Sequence, residues 1–170
     1  MPLYKDGSFV EDAWHVLGEG EAIGNGGPAI LSLAQWLALS NRRDGINAPV
    51  GVLLEAGESI DPILPDLDEL SLIALAFPKF GDGRSFSKAA MLRGQHGFRG
   101  EIRAMGDVLW DQLQLMRRCG FDAFAIDNEP TLRALEAGKK PFMDEFYQPG
   151  LSGEKPADAR RPWLRQWAGG

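Results

Sequence analysis

The chain has 170 residues, with 24 Asp and Glu against 18 Lys and Arg; a net charge of −6 and 44% hydrophobic content describe an ordinary, mildly acidic globular domain. A single cysteine, Cys119, excludes an internal disulfide, a four-cysteine zinc site and a self-contained iron–sulfur cluster held by cysteines, and two histidines, His15 and His96, argue against a His-rich metal site. No run of about 18 apolar residues is present, and Met1–Val10 lacks the charged-then-apolar order of a secretory signal, so no membrane association and a cytoplasmic location are expected.

In chain order, Met1–Gly27 offers two short candidate strands, around Phe9 and over Trp14–Leu17. Gly18-Glu-Gly-Glu-Ala-Ile-Gly24 departs from a dinucleotide-binding turn: its third glycine is one position late, Glu19 and Glu21 would face a pyrophosphate, and Gly26-Gly-Pro28 follows in place of a helix. It reads as a loop. Ala29–Leu33 is a short strand leading into a helix over Ala34–Arg43, although Ile30, Leu31 and Leu33 could equally extend that helix backwards. Pro49–Glu55 is a continuous apolar run, as in a strand buried on both faces, and a short helix is expected after Pro65.

Leu72–Phe77 is a third buried strand, ended by Pro78. After Gly81-Asp-Gly-Arg84, Ser85 is the candidate N-cap of a helix fading at Gly94 or Gly97. Glu101–Met105 is a short strand, and Asp107 is the candidate cap of a helix in which Leu109, Leu113 and Met116 recur on one face before Gly120 stops it. Phe121–Ile126 is the fifth strand of this series, and Glu129-Pro130 opens a last helix. The resulting division is an N-terminal segment of loop and short strands (1–28), an α/β domain (29–148) and a tail (149–170). Alternation of strands and helices predicts an open, mostly parallel five-stranded sheet with helices on both faces, with a partial βα barrel as the alternative.

Parallel sheets bind ligands beyond the carboxyl ends of their strands. The third and fourth buried strands bring Lys79, Asp82, Arg84 and Ser85, then Arg103 and Asp107, towards that edge, where helix N-termini and forked guanidinium donors suit a small oxyanion. The competing reading is that Arg84 and Arg103 pair with Asp82 or Asp107 and merely fix the loops. Between Lys79 and Arg118, eight basic residues meet four acidic ones, a local excess of +4 that leaves −10 elsewhere. This argues for one local anion site or an acidic partner and against nucleic-acid binding. Cys119, at a helix C-terminus, reads as a packed thiol, and neither histidine completes a catalytic triad. In the tail, Trp163 and Trp167 share a helical face among arginines, as in a partner-docking segment, or fold back on the domain's own surface.

The stretch Phe77-Pro-Lys-Phe-Gly-Asp-Gly-Arg-Ser-Phe-Ser87, with Gly97–Asp107, Asp111-Gln-Leu113 and Arg118–Asp122, resembles domain of unknown function family 934. The similarity is looser from Ala29 towards Phe146, and two positions depart from the family's pattern: Phe86, where tyrosine is more usual, and Gln95, where a basic residue often stands. The resemblance implies a role in assimilatory sulfur metabolism, because members are encoded beside sulfite reductase and are sometimes labelled oxidoreductases. It carries over no catalytic residue. The expectation is an accessory or binding protein of sulfite reduction, with sulfite reductase as partner and no cofactor specified; the alternative is a small enzyme acting on a sulfated or phosphorylated metabolite, with Asp82 or Asp107 as acid or base.

Overall fold

The computed structural model describes residues 1–18, 20–21, 27–39, 46, 48–79 and 83–142. Eight strands form one sheet: β1 (Leu3–Lys5), β2 (Ser8–Val10), β3 (His15–Val16), β4 (Ala29–Ser32), β5 (Val50–Leu54), β6 (Leu72–Phe77), β7 (Glu101–Gly106) and β8 (Ala123–Ile126), in the order β2-β1-β8-β7-β6-β5-β4-β3. Neighbours from β3 to β8 are parallel, whereas β1 runs antiparallel to β8 and β2 antiparallel to β1. The helices are α1 (Leu33–Ala38), α2 (Arg84–Gly94), α3 (Leu113–Arg118) and α4 (Glu129–Glu136), with a 3₁₀ segment over Asp61–Glu69. None is long and apolar enough to cross a membrane among the described residues.

This corrects the expected five-stranded sheet with helices on both faces, and the partial-barrel alternative fits. From β3 onward each strand is added on the same side of the last, so right-handed crossovers place every helix on one face. The packing agrees: Trp36 of α1, Ile63 of the 3₁₀ segment, Leu92 of α2, Met116 of α3 and Leu135 of α4 share one core with Leu31, Val52, Ile73, Ile102 and Phe124 of the strands. The opposite face has its own smaller cluster, built from Leu3, Ile30, Leu72, Ala74, Met105, Ala123 and Ala125.

Chain length explains why the sheet curls. Laid flat, the outermost strands β2 and β3 would lie seven inter-strand spacings apart, about 34 Å. Only Glu11–Trp14 join them, and an extended link from Val10 to His15 reaches at most about 18 Å. The sheet therefore rolls into a half-barrel with its edges turned towards each other and the helices outside. The link crosses the concave side, where Asp12 meets Arg103 of β7 and Trp14 packs on the smaller cluster.

Two local assignments also change. Gly83 is the cap of α2, placing Ser85 inside the first turn. Asp107 caps no helix: Val108 and Leu109 intervene before a 3₁₀ turn at Trp110–Gln112 that leads into α3. The segment with Pro62 and Pro65 begins earlier than expected and takes 3₁₀ form over nine residues.

Candidate functional site

The carboxyl ends of β6, β7 and β8 finish level, with Phe77 opposite Gly106 and Gly106 opposite Ile126. Gly106 has φ of 114°, and a Cβ there would stand 2.6 Å from the Phe77 carbonyl oxygen. That close approach lets the Asp107 amide donate to the same oxygen at 2.9 Å, while the Asp127 amide donates to Gly106 O at 3.1 Å. Backbone bonds thus tie three strand ends to one another.

Around this edge stand several of the sequence-derived candidates. Lys79 follows β6 and is exposed. Arg84 opens α2, with its guanidinium beside Gly57 in the loop after β5. One turn on, the Lys88 ammonium donates to Glu55 O at 2.7 Å and to Ala56 O at 3.0 Å, bridging α2 to the end of β5. The Asp107 carboxylate accepts from Asn128 Nδ2 at 2.9 Å, and Asn128 Oδ1 in turn accepts from the amide and hydroxyl of Thr131, capping α4. Ser85 is fully buried and donates its hydroxyl to Ala76 O at 2.9 Å, which ties α2 to β6 and turns the oxygen away from the edge. Asp82, Trp163 and Trp167 lie outside the described residues.

Arg103 is not brought to this group. Its side chain projects from mid-strand onto the concave face and is 1% exposed. Nε and a terminal nitrogen both meet Glu101 Oε1 at 2.8 Å, and Nη1 meets Asp12 Oδ2 at 2.7 Å. Lys5 Nζ donates to the other Glu101 oxygen at 2.7 Å, and this bond, more than its charge, raises the Lys5 pKa above the ordinary 10.5. The ion-pair expectation for Arg103 is therefore met with different partners: Glu101 and Asp12 among the described residues, and not Asp107. Sequence reasoning passed over Lys5, Asp12, Glu101 and Lys88. The alternation Glu101-Ile-Arg-Ala-Met105 was a usable signal for the second of these groups, since period two places Glu101 and Arg103 on one face.

Other candidates stay apart. Burial, opposed by Arg118, raises the Cys119 pKa above its ordinary 9.0. His15 lies on β3 and His96 just beyond α2, both exposed. No group of three or more His, Cys, Asp or Glu is arranged to hold a metal among the described residues.

Residues 51–157 match the family described as bacterial protein of unknown function, DUF934. The chain belongs to this family. The DUF934 span holds the whole carboxyl edge of β5 to β8, including Lys79, Arg84, Ser85 and Asp107, together with Glu101 and Arg103. It leaves out Lys5 and Asp12, so half of the concave-face charge network comes from outside the DUF934 span. A search of curated proteins finds no match to the chain.

Proposed function

We propose that this DUF934 protein is an accessory or binding protein of assimilatory sulfite reduction, holding a sulfur oxyanion or a partner's acidic patch at the carboxyl edge of β6 and β7. The observation that carries the reading is the placement of Lys79 and Arg84 around the loop from β6 into α2, at the edge where parallel sheets receive ligands. Lys88 and Asp107 are engaged in holding the neighbouring loops, which suits a binding surface of fixed shape. Titration calorimetry with sulfite, sulfate and phosphate tests it. Arg84→Ala should weaken binding tenfold or more, because a charge-assisted guanidinium–oxyanion contact contributes about 1.5–3 kcal/mol. Equal binding by the variant, or none by the wild type, would overturn the oxyanion half of the proposal.

The partner half rests on the family's implied link to sulfite reductase and on the arginine-flanked Trp163 and Trp167. Co-purification with sulfite reductase should be lost when Lys155–Gly170 are removed. A second reading, a small enzyme acting on a sulfated or phosphorylated metabolite, draws support from Asp107, which stands at the same edge. Turnover by the isolated protein that disappears in Asp107→Asn would favour the enzyme over the binding protein.

A further inference from the structure

On the concave face, Arg103 is flanked across the sheet by two alanines, Ala74 of β6 on one side and Ala123 of β8 on the other, each directly in register. These small neighbours let the long Arg103 side chain lie over the strands, and it does so with almost no solvent contact. Its charges are apportioned unevenly. Glu101 is shared, one oxygen on Arg103 and the other on Lys5, which also feels Asp6 and Asp122, whereas Arg103 takes its second carboxylate from Asp12. Withdrawing Asp12 leaves Nη1 of the buried Arg103 guanidinium without its carboxylate, an unfavourable state unless another anion takes its place.

Asp12 differs in kind from its partners. Lys5, Glu101 and Arg103 project from hydrogen-bonded strands, whereas Asp12 sits in the link Glu11–Trp14 that crosses the half-barrel. Its second oxygen accepts from the Trp14 amide at 3.1 Å, closing a local turn. Its side chain is 25% exposed, so solvent reaches the bond that Arg103 makes from within.

We infer that the concave face carries a carboxylate-binding site built on Arg103, in which Asp12 is the resident occupant and the Glu11–Trp14 link is a strap that this carboxylate, with Trp14, holds over the site. The ligand is a small molecule bearing a carboxylate with a short apolar end, since the guanidinium presents one donor edge and the flanking side chains are Ala74, Ala123 and Met105. This site is separate from the carboxyl-edge surface and does not rest on the function proposed for it.

The test is chemical rescue of the full chain. Asp12→Ala should melt below the wild type, and added formate or acetate should raise its melting temperature saturably, as a ligand bound only by the folded state does, while chloride at equal ionic strength does not. Wild type, with its own carboxylate in place, should respond about tenfold more weakly or less, the penalty of competing with an internal occupant. Arg84→Ala in the same background should leave the rescue intact. Should Asp12→Ala fail to fold, Asp12→Asn keeps the turn to Trp14 and removes only the charge. Its amides from Asp12 to Leu17 should exchange faster than in the wild type, and formate should slow them again. Formate acting no better than chloride, or equally on wild type and variant, overturns the site.

Discussion

At Arg103 a fully charged side chain sits in a strand whose other neighbours are alanine, isoleucine and methionine, and it is tolerated because each donor edge meets a carboxylate. Its address was the part that sequence reading missed. A strand end and a mid-strand position two residues earlier look alike when the strand is six residues long, and only the pairing of β7 with two alanine-bearing neighbours turns the side chain inward. Lys79 and Arg84 follow a clear strand stop at Pro78, and that punctuation makes their position after β6 legible in the sequence. Two titrations belong to this scale. Burial raises the Cys119 pKa above 9.0 and the Glu101 hydrogen bond raises that of Lys5 above 10.5, so the folded chain holds both protons more tightly than the unfolded one. Between each ordinary value and its raised counterpart, unfolding releases a proton, and stability must fall as pH rises. Melting temperatures measured from pH 8 to 11 should decline in this window. Cys119→Ala should remove the part that begins near 9, and a flat profile would contradict the assignment.

The elements divide by how their boundaries are written. Leu72–Phe77 runs from the first residue of an apolar stretch to the one before proline, and the strand matches it at both ends. Helix starts were harder. Ser85 has the chemistry of a cap, yet its hydroxyl is drawn into the sheet by Ala76 O, and Gly83 begins the helix in its place. Asp107 also has that chemistry, but the tight crossing at Gly106 commits its amide to β6 and its carboxylate to Asn128. Asn128 therefore does two jobs, capping α4 through Thr131 and holding the loop after β7. Asn128→Ala should cost about 1–2 kcal/mol in urea denaturation, at the upper end for a cap because Asp107 loses its partner too. A loss below about 0.5 kcal/mol would show the link to be incidental.

For the whole molecule, local patterns specified the βα alternation and left the strand order open. A strand buried on both faces has the same composition in a doubly wound sheet and in a curled one. What decides here is long-range: a four-residue link between the outermost strands, which no window of hydrophobicity contains. The segment matching DUF934 is therefore expected not to be a stable unit alone. Residues 51–157 expressed without β1 to β4 would expose the free edges of β5 and β8 and strip Arg103 of Asp12. This fragment should lack a cooperative melting transition by circular dichroism, whereas adding back 1–50 restores one. The pairing of β1 with β8 has a further consequence, for synthesis. Leu3 finds its partner in Ala125, so during synthesis β1 must wait for β8. At about 5–20 residues per second that wait is roughly 6–24 s, a long interval for a nascent strand edge. Throughout it Phe9 and Val10, still exposed in the finished fold, hang beside an unfilled place in the sheet. The β1–β2 hairpin should thus depend on shielding until β8 emerges to pair with it.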